Sequence, residues 1–202
     1  GIDYLGESGR WPSRGFYSGL VDFAGVIKPR GYFRQSLWSD KPMAYLGTYP
    51  LKDTKDVSKD AWAIWNYAAG EKIRVVCYTN AAKARLELNG KVVGETKAYD
   101  EKTGIVYWDI PFAAGKLEAV GLNKDDKEVS RYAITSTQQP AELTIADTNI
   151  TIAKDKGVAK IMVQLKDQNG LPVMLSDNEV TCTISGPGIL LGLEAGNNSD
   201  MT

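Results

Sequence analysis

The chain has 202 residues, 43% of them apolar, and its 24 lysines and arginines against 25 aspartates and glutamates leave a net charge of −1. That balance argues against a nucleic-acid ligand, because phosphate binding asks for a basic face or stripe. The sequence has no histidine, which excludes His-based triads and His metal sites within the chain, and no run of ~18 apolar residues for a membrane span.

GIDYLGESGRWPSRGFY opens the chain with two short apolar runs, Ile2 with Tyr4-Leu5 and Phe16-Tyr17, around a turn-rich stretch holding Gly6, Gly9 and Pro12. KPRGYFRQSLWSD, residues 28–40, sets Tyr32, Phe33 and Leu37 at helical spacing and predicts a helix that Gly31 weakens. The stretch from Asp40 to Asp56 reads as loop and extended chain. Composition shifts near residue 58, and the signals become strand and turn. AWAIWN (61–66), EKIRVVCYTN, ARLEL, KVV, IVYWDIPF, KLEAVGLN and EVSRYAIT follow in order. That makes about seven short strands in roughly 75 residues, the spacing of an immunoglobulin-like sandwich. Asn89-Gly90 supplies positive φ at both central positions of a hairpin turn. Asp125-Asp126-Lys127 can turn the last two strands into another hairpin.

STQQPA (136–141) is polar, ends in Pro140 and reads as a linker. A second β module starts at ELTIA and continues through ITIA, VAKIMVQLKD, a turn at Asn169-Gly170, and EVTCTI with Val180, Cys182 and Ile184 on one face. About five strands are countable, fewer than such a sandwich needs, so the module reads as cut short. Cys77 and Cys182 each sit in an alternating apolar run and read as buried free thiols, too few ligands for zinc. Trp62, Trp65, Tyr67, Tyr78, Tyr107 and Trp108 could form a sugar-binding face, but alternation assigns at least half of them to the core.

Asp3-Tyr4-Leu5-Gly6-Glu7, Trp11-Pro12-Ser13-Arg14, Gly19, Asp22, Ala24-Gly25, Lys28 and Tyr32…Gln35-Ser36…Trp38 resemble the last βα unit of the catalytic barrel in glycoside hydrolase family 2, the β-galactosidase-like enzymes. Trp65-Asn66-Tyr67, Gly70, Tyr78-Thr79-Asn80, Leu88-Asn89-Gly90 and Gly94 are similar to the sandwich that follows that barrel in its bacterial branch. Asp167, Asn169-Gly170 and Gly186-Pro187-Gly188 resemble the bacterial immunoglobulin-like module after it. The resemblance implies a mainly β chain: two immunoglobulin-like β-sandwiches in tandem, over 58–136 and 141–202, preceded by a barrel-derived strand–loop–helix remnant over 1–57.

Residues just after a barrel strand face the active site. The resemblance therefore implies that Asp3, Glu7, Trp11 and Arg14 lined the substrate pocket of a longer parent, with Trp11 stacking on a sugar face. Retaining glycosidases use two carboxylates about 5–5.5 Å apart. The family carries both on earlier barrel strands, upstream of Gly1. Asp3 and Glu7 are poor substitutes, since four residues of extended chain separate them by more than ~10 Å. No catalytic residue, metal or cofactor is thus expected here. The expected partner is the parent's carbohydrate substrate, with no nucleic acid and no membrane insertion. Copies exchanging strands in a homo-oligomer are left open. The resemblance implies a periplasmic or secreted bacterial protein. The alternative is a non-enzymatic carbohydrate-binding or spacer protein of tandem immunoglobulin-like modules, in which DYLGE has no natural place. A single βα unit cannot enclose itself, so the helix with Phe33 and Trp38 is expected to pack on the first sandwich.

Overall fold

A computed structural model of the chain describes residues 1–4, 10, 11, 13, 15–51, 56–154 and 156–196. It is mainly β, with several antiparallel sheets and a single short helix among these residues.

The helix, α1, spans Pro29–Trp38, with Pro29 at its start. Proline there presets φ and gives up an N–H that has no helical acceptor. Gly31 carries a packing role: a Cβ at this position would sit 2.7 Å from the Leu20 carbonyl oxygen and from the Ile27 side chain. The residue that weakens the helix in isolation lets it lie against the preceding segment.

Strands β1 (Ala44–Pro50), β2 (Lys72–Thr79), β3 (Lys83–Leu88), β4 (Lys91–Val92), β5 (Lys97–Ala98), β6 (Val106–Pro111), β7 (Lys116–Leu122) and β8 (Glu128–Thr135) follow. They form two sheets, β1-β2-β6 and β4-β3-β7-β8, with β5 also on β3. The β1 edge comes from the stretch that reads as loop and extended chain, and it pairs with β2 from Ala44↔Thr79 to Pro50↔Ile73. One apolar cluster draws on both sheets: Leu46, Ile73, Val75, Cys77, Val106 and Trp108 from the first, Ala84, Leu86, Leu117, Ala119 and Ile134 from the second. The other face of β2 presents Val76 and Tyr78 to a second cluster with Phe33 of α1, Tyr45, Ala61 and Ile105. Strand β2 is therefore buried on both faces from Ile73 to Thr79, and apart from Arg74, which is paired with Asp109, and Thr79, these residues are apolar or aromatic.

The helix docks through aromatic contacts. Phe33 meets Tyr78 edge-on at 5.5 Å, and Tyr32 stacks on Tyr45 at 4.4 Å. Trp38, expected in the same contact, is instead 71% exposed under the Arg34 guanidinium. Five residues beyond Phe33, Trp38 lies on the far face of the helix, while Ser36, three beyond, is still buried.

The Asn89-Gly90 turn is as the sequence predicts, with φ of 52° and 76° between Leu88 and Lys91. The turn after β7 is organised by Asn123, whose Oδ1 accepts from the amides of Asp125 and Lys127, and Asp126 takes the positive φ. Residues 61–66, expected as a strand, form none. Their backbone is met one bond at a time: the Thr48 amide donates to Trp62 O, and the Thr48 hydroxyl to Ile64 O.

The polar 136–141 stretch is pinned on both sides. Asn66 Nδ2 donates to Thr137 O at 2.7 Å, while the Thr137 amide donates back to Asn66 Oδ1. The Gln138 amide donates to Asp167 Oδ2, and the Ala141 amide to Lys166 O. Beyond it β9 (Glu142–Ile145) and β10 (Val163–Lys166) pair antiparallel, and an isolated bridge joins Lys166 to Pro172. Asp167 Oδ1 accepts from the Asn169 and Leu171 amides and shapes the turn holding Gly170. The expected strands at 150–153 and 180–184 are not formed. Cys182 is accordingly exposed, against expectation, whereas Cys77 is buried. An alternating run buries one face only when a second layer covers it, and the β9-β10 pair extends no cover that far.

Candidate functional site

The N-terminal segment is built around a buried charge. Ile2 bridges Val21 in parallel and Tyr4 bridges Phe16 antiparallel. The alternation of an extended chain sends Ile2 and Tyr4 outward and Asp3 inward, where it is 6% exposed. Lys28 Nζ lies 2.8 and 3.0 Å from the two Asp3 carboxylate oxygens and donates also to Tyr17 O at 2.7 Å. The Gly19 amide donates to Asp3 Oδ1 at 2.9 Å. A Cβ on Gly19 would come 2.4 Å from the Asp3 nitrogen, so only glycine permits this approach. The cradle ties the first strand-like residues, the end of the following loop and the residue that enters α1.

A second tie joins this segment to the sheets. Arg30 Nε donates to Asp60 Oδ2 at 3.0 Å, with Nη2 on the same oxygen, and Nη1 reaches Tyr17 O. The hydrogen bond to Asp60 raises the Arg30 pKa against a smaller opposing effect of burial.

Of the four residues expected to line a pocket, two are described. Asp3 is committed to Lys28 and Gly19, while Trp11 is 78% exposed. Glu7 and Arg14 lie outside the described residues. Ile2, Tyr4, Phe16, Tyr17 and Ile27 are also exposed on the same segment. Lys28 is the residue that sequence reasoning did not assign to the site. Its signal is a lysine set in the small and apolar run Ala24-Gly25-Val26-Ile27, where a buried cation needs a carboxylate.

Among the six aromatic residues offered as a sugar platform, Trp65, Tyr78 and Trp108 are core, each no more than 3% exposed. Trp65 Nε1 donates to Ala113 O and Trp108 Nε1 to Glu95 O, which satisfies the indoles inside. Trp62 is exposed, and Tyr67 and Tyr107 are half-buried. Among the described residues no group of carboxylates and thiols is arranged to hold a metal.

Comparison with known proteins gives two family matches. Residues 70–130 match the model described as "Domain of unknown function (DUF4982)", and residues 142–202 match "Glycoside hydrolase family 2 C-terminal domain 5". The chain is 31% identical over its whole length to the β-galactosidase BoGH2A of Bacteroides ovatus, of which it covers 22%. Its fold superposes on a β-glycosidase of Bacteroides vulgatus with a TM-score of 0.82 at 32% identity, over 100% of this chain and 24% of that one. A β-glucuronidase from glycoside hydrolase family 2 aligns with a TM-score of 0.67 at 26% identity, over 85% of this chain and 16% of that one. The chain thus spans under a quarter of each of these relatives. With its two successive matches in chain order and full-length likeness to these enzymes, the chain belongs to glycoside hydrolase family 2 and represents its C-terminal domains.

Proposed function

We propose that the chain is the non-catalytic C-terminal part of a retaining β-glycosidase that cleaves O-glycosidic bonds. In this reading residues 1–57 are the last βα unit of a (β/α)8 barrel, 58–136 an immunoglobulin-like sandwich, and 141–202 a second one. The two sheets that share a core around Cys77 and Leu86 are the halves of the first sandwich, which borrows β1 from the barrel-side segment. The sandwiches serve as structural support for the barrel.

One observation carries the reading: the N-terminal segment is held on both sides. The Asp3–Lys28 cradle fixes the strand end, and Phe33 and Arg30 fix the helix to the sheet body. A wall element so anchored would transmit the rigidity of the sheets to the pocket. In this reading Trp11 stacks on a sugar ring, and Glu7 and Arg14 of the same loop bind its hydroxyls. Asp3 acts as a positioning residue, holding the strand from which that loop departs. The exposed apolar side chains of Ile2, Tyr4, Phe16, Tyr17 and Ile27 would meet the remainder of the barrel.

The test is an assay with nitrophenyl β-galactoside and β-glucuronide. The present chain should turn over neither substrate, and the product of the complete reading frame should cleave at least one. Activity of the chain alone that is lost on Asp3→Asn would overturn the assignment of the catalytic carboxylates to other residues. An inactive complete protein would overturn the glycosidase reading.

A further inference from the structure

Away from the N-terminal loop, a cleft of about 220 Å3 opens between α1 and the turn at 99–104. Phe33, Leu37 and Gly104 form its apolar base. Three cations line it: Arg34 from the helix, Lys59 from the loop before β2, and Lys102 from the turn. Elsewhere Lys28, Arg30, Arg74, Lys83, Arg85, Lys116 and Arg131 are ion-paired, and other cations such as Lys72 and Lys91 stand singly on the surface rather than clustered. Among the described residues Arg34, Lys59 and Lys102 have no carboxylate partner. Lys59 Nζ sits 5.4 Å above the Phe33 ring and Arg34 lies over Trp38, so both heads are held by aromatic faces rather than by anions.

The opposing wall is rigid. Asp100 Oδ1 accepts from the Lys102 amide at 2.9 Å, Asp100 Oδ2 from the Thr103 hydroxyl at 2.8 Å, and the Gly104 amide donates to Asp100 O at 2.7 Å. The Asp100 carboxylate is thereby occupied within its own turn. Glu101 is the remaining acid at the cleft, and Tyr99 adds a phenol to the lining.

We propose that this cleft binds the carboxylate-bearing ring of a sugar acid. Three cations against one free acid favour an anionic ligand. A sugar acid uses the whole lining, offering hydroxyls to Glu101 and Tyr99 while its carboxylate meets the lysines and Arg34. The choice of a sugar acid rests on the reading of the parent as a glycosidase; the attraction for an anion does not.

The test is an NMR titration of the 15N-labelled chain with sodium glucuronate, galactose and sodium sulfate. Glucuronate should shift the amides of Lys102, Thr103, Gly104 and α1 with a Kd on the order of 1 mM. Lys59→Glu and Lys102→Glu, both at exposed positions, should each weaken it about tenfold while preserving the dispersed spectrum of the fold. Three results would overturn the proposal: no shift at these amides at about 20 mM glucuronate, well above that Kd; equal shifts with galactose; or binding of sulfate without glucuronate. An inactive full-length protein would remove the glycosidase reading and leave the glucuronate titration to stand by itself.

Discussion

Asp3 and Lys28 are both buried and satisfy each other, so neither can be removed singly without stranding the other. Truncating one partner of a buried pair is costly, about 3 kcal/mol or more. Asp3→Ala should therefore lower the urea midpoint of the N-terminal segment, followed by hydrogen exchange at the Asp3, Gly19 and Lys28 amides. Asp3→Leu combined with Lys28→Met should recover much of the loss, because the desolvation cost disappears with both charges. The cysteines give a second residue-scale test. Burial pushes the Cys77 thiol up to about 12, so almost no thiolate exists at neutral pH. Cys182 is exposed. A thiol reagent should label Cys182 within the native protein and Cys77 only after denaturation, a difference that peptide mapping reads directly. Rapid native labelling of Cys77 would contradict the core described above.

The elements differ in how openly the sequence announces them. Strands β2, β6, β7 and β8 alternate or run apolar between turn residues and are legible as such. The β3–β4 hairpin is legible because Asn-Gly is nearly unique to one turn geometry. Replacing Gly90 with Val forces a β-branched residue to φ near 76°, and the fold should lose about 1–3 kcal/mol in a denaturant melt. Gly90→Asn should cost far less, since asparagine tolerates that region. Strand β1 is harder to read: Gly47 breaks its pattern, and a Cβ there would sit 2.2 Å from Ala61 O. The close approach that requires glycine is the same contact that gives residues 61–66 their irregular bonds. Cys182 shows the opposite failure. Alternation reports only that a face is apolar, and no pattern within a strand says whether a second layer lies over it. The Asp3–Lys28 pair was not legible: it spans 25 positions, and no local spacing encodes it.

At the scale of the whole molecule, the polar 136–141 stretch matters more than its composition suggests. Asp167 is 2% exposed. Its pKa is lowered, first by the Gln138 amide and then by the Leu171 and Asn169 amides. A carboxylate with a depressed folded pKa stabilises above the unfolded value of about 3.9, and that contribution is lost as pH falls through the lower folded value. Protection from hydrogen exchange at Gln138, Asn169 and Leu171, measured relative to an unstructured peptide at the same pH, should thus be high at neutral pH and fall below about pH 4, ahead of β2. Asp167→Asn should make these amides fast at every pH. A joint held on both flanks also carries torque. Rotating the β9-β10 hairpin against the larger body cannot be absorbed by the residues between them while Asn66 and Asp167 keep their bonds. The two bodies should then diffuse as one particle, with the same rotational correlation time at Thr144 as at Val76, and any twist applied at the hairpin is delivered to the backbone beside Trp65.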